Sequence, residues 1–196
     1  MRHGESIGNL IVEDMPDGEL TELGRQQAMQ VREGLKGLKL DHIVCSPLMR
    51  AIETASPLAI EQGLPIEIWK NTYEVRNKGP YRGPSSEKLR SMYPDVPLID
   101  DIELEGWYCS GDETEAMATA RAQEVYAELR RRYEGKRVVI FAHSGFNRHL
   151  LYAALGISWE SNTYFHQSNG SIYWLTVTQD RTTVNYIGET KAMQQD

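Results

Sequence analysis

Short apolar runs with β-branched residues recur at 43–45, 66–69 and 138–142, the second interrupted by Glu67, and each is too brief for a helix. Such runs read as strands buried on both faces, the pattern of a parallel sheet covered by helices. Between them lie stretches of helical periodicity at 21–36, 48–62, 112–133 and 145–155, the first with Leu23, Ala28, Val31 and Leu35 on one face. Strands alternating with helices predict an α/β fold, a three-layer αβα sandwich around a mostly parallel sheet. Near the end, 171–178 and 182–187 flank Gln179-Asp180-Arg181 and predict an antiparallel hairpin at one sheet edge. That edge offers a contact for a homodimer.

The chain has no internal repeat, low-complexity tract or linker, so one continuous domain over 1–196 is expected. With 40% apolar residues it can bury a sizeable core, and 21 basic against 28 acidic residues give a net charge of −7. Nucleic acid and anionic membrane surfaces select for exposed Lys and Arg, so neither is an expected partner. Cys45 and Cys109 form neither a disulfide framework nor a metal set. That cysteine usage, with no apolar run of about 18 residues and no signal peptide, predicts a cytoplasmic protein. Residues 76–111 contain Pro80, Pro84, Pro94 and Pro97 together with Gly79, Gly83, Gly106 and Gly111. They predict a long irregular excursion with one short helix near 85–92, of the kind that serves as a lid or binding segment.

In open α/β sheets ligands bind beyond the carboxyl ends of the strands. Ser46-Pro47-Leu48-Met49-Arg50 and His143-Ser144-Gly145 both follow predicted strands. Arg2-His3-Gly4-Glu5-Ser6 with Asn9 opens the chain, and Leu20-Thr21-Glu22-Leu23-Gly24-Arg25-Gln26-Gln27-Ala28 comes next. Ser46-Pro47-Leu48-Met49-Arg50-Ala51-Ile52-Glu53-Thr54-Ala55 and Ala142-His143-Ser144-Gly145 complete the set. In this order the segments resemble the histidine phosphatase superfamily, the phosphoglycerate mutase-like fold; the likeness is strong in them and weak in 76–111.

The resemblance implies a metal-independent phosphomonoester hydrolase without a cofactor, acting on a small phosphorylated molecule. A phosphomonoester carries nearly two negative charges and three acceptor oxygens, so several fixed donors must converge on it. Arg2 and Arg50 offer guanidinium forks that match phosphate geometry, each charge-assisted bond worth roughly 1.5–3 kcal/mol. His143 supplies a ring donor, the backbone N–H of Ser144 at a helix start another, and Asn9 a further contact to phosphate or water. His3 is the expected nucleophile, forming a phosphohistidine, since flanking arginines keep its imidazole neutral. Glu74, just after the second strand, is the expected general acid and base, with Glu53, Glu103, Glu105 and Glu113 as alternatives. Ser46 could orient the His3 ring, and Thr21 and Glu22 are substrate-contact candidates. Tyr81 and Trp107, with Arg82 and Tyr108, are expected to wall the alcohol side.

Mutases of this superfamily need further basic residues for the substrate carboxylate, and here Glu74-Val75-Arg76-Asn77-Lys78 with isolated Arg90 and Arg130-Arg131-Arg132 misses most of that pattern. Hydrolysis is therefore expected over phosphoryl shuttling, and over an inactive binding role, because none of Arg2, His3, Arg50 and His143 is replaced. In this fold the Arg-His-Gly turn follows a central strand, yet only Met1 precedes it. The expectation is a missing or truncated first strand, with nothing to hold His3.

Overall fold

The structure, a computed structural model, describes residues 1–11 and 13–190. Its elements run α1 (Ile7–Leu10), α2 (Glu22–Leu35), β1 (His42–Cys45), α3 (Met49–Gln62), β2 (Ile66–Ile68), a 3-10 turn (Lys70–Thr72), β3 (Tyr81–Arg82) and α4 (Ser86–Met92). Then follow β4 (Leu98–Ile99), β5 (Tyr108–Cys109), α5 (Glu115–Arg132), β6 (Val138–Phe141), α6 (Ser144–Leu155), β7 (Ser171–Val177) and β8 (Thr182–Glu189).

Four parallel strands form the central sheet in the order β4-β2-β1-β6. Successive side chains of a strand point to opposite faces, and the core divides accordingly. Val139 and Phe141 join a cluster with Val31 and Leu35 of α2 and Ala51, Ala55 and Leu58 of α3. Ile140 and Ala142 pack on the other side with Ala122 and Val125 of α5 and Phe146 of α6. Phe141 and Phe146 are fully buried, and truncating such a side chain typically costs about 3–5 kcal/mol. Two layers of helices thus enclose a sheet whose strands are apolar on both faces.

The predicted face of α2 needs one change. Ala28, Val31 and Leu35 are buried, but Leu23 is 48% exposed and Gly24 is buried in its place. The cause is a close backbone crossing. A Cβ on Gly24 would stand 1.9 Å from the Glu5 carbonyl oxygen, and one on Gly4 would stand 2.5 Å from that of Gly24. Glycine at both positions lets α2 press directly on the turn that follows His3.

The excursion is more ordered than its composition predicts. Leu98 and Ile99 add a strand to the main sheet beside β2, and β3 pairs with β5 to tie its two limbs together. β7 and β8 form the expected antiparallel hairpin, but as a two-stranded sheet of its own rather than as an edge of the central one.

His3 is not left unsupported. Arg2 forms a parallel bridge with Ala142 just beyond β6, and the His3 amide donates to the Ala142 carbonyl at 3.0 Å. On the other side the Arg2 amide donates to Ser171 at 3.0 Å, while Gly170 donates to the carbonyls of Arg2 and His3. A few residues laid between β6 and the start of β7 therefore do the holding that a longer strand was expected to do.

Candidate active site

The site is assembled from strand ends. β1 leads through Ser46 into α3, whose first turn carries Arg50; β6 runs through Ala142 to His143, the residue capping α6; β2 leads through the 3-10 turn to Glu74. The Arg2-His3 segment lies alongside β6.

His3 is 3% exposed and its two ring nitrogens have distinct partners. Nδ1 lies 2.6 Å from the Gly4 carbonyl oxygen, which can only accept, so Nδ1 carries the proton. Nε2 lies 3.2 Å from Arg50 Nε, which can only donate, so Nε2 presents a lone pair. Burial, and after it the Arg50 and Arg2 charges, hold the imidazole neutral well below the usual histidine range, against the opposing pull of Gly4. The proton, the lone pair and the charge state are those of an imidazole nucleophile.

The His143 ring stands 5.1 Å from that of His3, centre to centre. Burial first, then Arg50 and His3, keep it neutral as well. Its Nε2 is 2.8 Å from Ser46 Oγ, and its buried Nδ1 has no hydrogen-bond partner among the described residues. Ser46 Oγ accepts from the Leu48 amide at 3.3 Å and can give its own proton to Nε2, which leaves Nδ1 as a donor. Ser46 thus hydrogen-bonds the His143 ring, and among the described residues it makes no hydrogen bond to His3; its strand, β1, lies directly beside β6.

Arg50 is 8% exposed. Besides His3 it donates through Nη1 to the Pro16 carbonyl at 2.9 Å, and Asp17 stands 3.8 Å away without a hydrogen bond to it. Asp17 is a residue that sequence reasoning missed, since Pro16-Asp17-Gly18 reads as an ordinary turn. Its carboxylate accepts from the Met49 amide at 2.8 Å and from Tyr81 Oη at 3.4 Å, and burial, countered by Arg50, pushes its pKa up to about 7. Arg2 donates to the Gln167 carbonyl at 2.6 Å, while its buried Nε has no partner among the described residues.

Glu74 faces this group from the α6 side. Its carboxylate accepts from the amides of Gly145 at 3.2 Å, Phe146 at 2.9 Å and Val75 at 2.8 Å. A cleft of about 210 Å³ reaches both Arg50 and Glu74, and Met15, Val75, Arg76, Tyr81 and Trp107 are among its walls. Trp107 is 3% exposed and stacks on Tyr73 at 5.8 Å and edge-on to Tyr81 at 5.4 Å.

Other candidates lie elsewhere or are otherwise engaged. Thr21 caps α2 by accepting from the Gly24 amide and donates to Glu5, and Glu22 pairs with Arg25 on the surface. Neither lines the cleft. Asn9 Oδ1 accepts from Ser6 and Asn169, which leaves only its amide N–H groups for a ligand. Glu53 accepts from the Leu20 amide, Glu103 pairs with Lys70, Glu105 with Arg82, and Glu113 with Arg121.

The sequence model of the histidine phosphatase superfamily (branch 1) matches residues 1–190. Phosphoserine phosphatase 1 of Hydrogenobacter thermophilus is 27% identical over 178 residues, which is 87% of this chain and 82% of that protein. Phosphoglycerate mutase-like protein 4 of Arabidopsis thaliana is 28% identical over 158 residues, 76% of this chain and 67% of that one. The solved structure of a mycobacterial glucosyl-3-phosphoglycerate phosphatase with VO3 superposes with a TM-score of 0.71 at 24% identity, covering 96% of each chain.

Proposed function

The chain belongs to the histidine phosphatase superfamily, and on that premise we propose that it is a phosphatase hydrolysing small phosphomonoesters through a phosphohistidine on His3. The observation that carries this reading is the His3 ring, with Nδ1–H fixed on the Gly4 carbonyl and the Nε2 lone pair set against Arg50.

The forks of Arg2 and Arg50, the Nδ1–H of His143 and the amide of Ser144 bind the phosphoryl oxygens, with an amide N–H of Asn9 at the edge. A phosphoryl group that engages Arg50 competes for its Nε–H, and this uncovers the His3 lone pair. Nε2 then attacks phosphorus opposite the ester oxygen. As the N–P bond forms and the P–O bond breaks, the leaving oxygen takes the proton of the Glu74 carboxyl. The ring gains positive charge, which the Gly4 carbonyl stabilises through Nδ1–H. In the second step Glu74 takes a proton from water, the water oxygen attacks phosphorus, and the P–N bond breaks to restore neutral His3 and release phosphate. Charge stabilisation and positioning supply most of the acceleration in phosphoryl transfer. The donor set here is cationic and repels a divalent ion, in keeping with a metal-independent reaction.

A mutase reading needs spare cations around the cleft. Lys78 is one such cation in the cleft wall, but Arg76 is paired with Asp14 and Arg90 with Asp100, while Arg131 and Arg132 bind Glu128 on the last turns of α5. Hydrolysis is the better fit, with Tyr81 and Trp107 beside the alcohol.

The test is an assay in excess EDTA with p-nitrophenyl phosphate, a panel of alkyl phosphates and 3-phosphoglycerate. Phosphate release that survives the chelator and vanishes in His3→Ala is expected. Interconversion of 2- and 3-phosphoglycerate without phosphate release would replace hydrolysis by the mutase reading. A folded protein inert on every ester would leave only a binding role.

A further inference from the structure

Arg121, in the second turn of α5, belongs to none of the groups assigned above, yet it touches both sides of Glu74. Its Nε and Nη2 donate to Glu113 at 2.7 and 2.8 Å, a bidentate pair in which both side chains are at least nine-tenths buried. Its Nη1 donates to the carbonyls of Asn71 at 2.8 Å and Tyr73 at 2.9 Å. The guanidinium carbon lies 3.8 Å from the centre of the Tyr73 ring and 4.9 Å from that of Phe146. Glu113 completes the frame, since its amide donates to the Arg76 carbonyl at 2.9 Å and its carboxylate accepts from the Arg76 amide at 3.4 Å.

Tyr73 is the residue before Glu74, and Phe146 is the residue whose amide holds the Glu74 carboxylate at 2.9 Å. One guanidinium therefore spans the backbone that carries Glu74 and the helix turn that receives it. Burial of two ionised groups is costly unless their geometry and hydrogen bonding are complete, and here every guanidinium nitrogen is used. A shift of about 1 Å in a catalytic group can cost on the order of a hundredfold in rate.

We propose that Arg121 and Glu113 are positioning residues for the proton-transfer step, a strut that fixes Glu74 at the α6 N-terminus. The proposal rests on Glu74 being the general acid and base. It gives Arg121 a signature that general structural support does not have. Protonation matters for alkyl esters, whose leaving oxygen is strongly basic, and little for p-nitrophenyl phosphate. Glu74 also serves as base in the second step, which every ester shares, so the contrast is read in kcat/KM, which reports the first step: loss of the strut must lower it for alkyl esters and spare it for the aryl ester.

Arg121→Lys keeps the charge but cannot hold a carboxylate bidentately and bind two carbonyls as well. Gly145→Ala attacks the same placement from the opposite side, because a Cβ there would stand 2.6 Å from Glu74 Oε1. Each variant is expected to lower kcat/KM on alkyl phosphates by about 10- to 100-fold and on p-nitrophenyl phosphate by less than about threefold. In a Glu74→Gln background neither should add a further loss on alkyl esters. Equal losses on both esters, or full additivity with Glu74→Gln, would overturn the strut. If Glu74→Gln alone fails to discriminate between the esters, the acid assignment falls first, and the positioning role falls with it. Gly145→Ala measures what displacing Glu74 costs; should Arg121→Lys fail to fold, Glu113→Gln tests the strut itself with the same contrast expected, since it keeps the side-chain volume and the Arg121 bonds to Asn71 and Tyr73.

Discussion

Arg50 and Arg121 are both enclosed by protein and both face a buried carboxylate, but they use their nitrogens in opposite ways. Arg121 spends all three on Glu113 and on two backbone carbonyls. Arg50 stays 3.8 Å from Asp17, gives one N–H to a carbonyl and another to His3 Nε2, and its Nη2 makes no hydrogen bond among the described residues. On the proposed function, the arginine that receives the phosphate keeps part of its fork unpaired, and the one that holds a backbone segment in place keeps none.

The sharpest way to break this contrast is to replace each arginine by lysine and compare esters. Arg50→Lys removes a donor fork from the transition state of every substrate, so kcat/KM should fall by roughly 10²–10³-fold. The loss should be alike for p-nitrophenyl and alkyl phosphates. A loss confined to alkyl esters would make Arg50 another support for Glu74 and erase the distinction.

A smaller effect concerns the loose ion pair itself. Burial raises the Asp17 pKa in the folded state to about 7 from its ordinary value of 3.8. Between those values the folded protein holds a proton there that the unfolded chain lacks, so this group's contribution to stability falls as pH rises from about 4 to 7. Asp17→Asn removes that penalty. Urea unfolding should show the variant gaining on the parent by about 1.4 kcal/mol per pH unit across the window and levelling off above it. A difference independent of pH would mean that Asp17 is charged throughout and bound to Arg50 far more tightly than 3.8 Å implies.

The same contrast explains what could be read from the sequence. Arg2, His3, Arg50 and His143 sit in short contiguous motifs at strand ends, where chain direction alone brings them together. Glu74 was singled out by the family resemblance, which points to the stretch after β2, and not by any pattern of its own. Asp17, Arg121 and Glu113 were not legible in their roles, because their partners arrive from distant stretches. Asp17 meets Met49 and Tyr81, and Arg121 meets Asn71 and Tyr73. Arg121 lies in the helical stretch 112–133, where periodicity alone gives it no role, and Glu113 read only as an alternative acid. In the fold, the alternation of short apolar runs and helical stretches was enough to predict the layered sheet. β4 escaped notice because two residues after Pro97 carry no periodicity, and the buried position of Gly24 depends on a crossing with Glu5 that local pattern cannot reveal.

The central claim is covalent, and trapping tests it most directly. Protein mixed with a ³²P-labelled phosphomonoester and quenched in alkali should retain label that is stable to base and lost in acid, as a phosphohistidine is. Peptide mapping should place the label on His3, and His3→Ala should carry none while remaining folded. Label on another residue, or undiminished labelling of His3→Ala, would contradict the account.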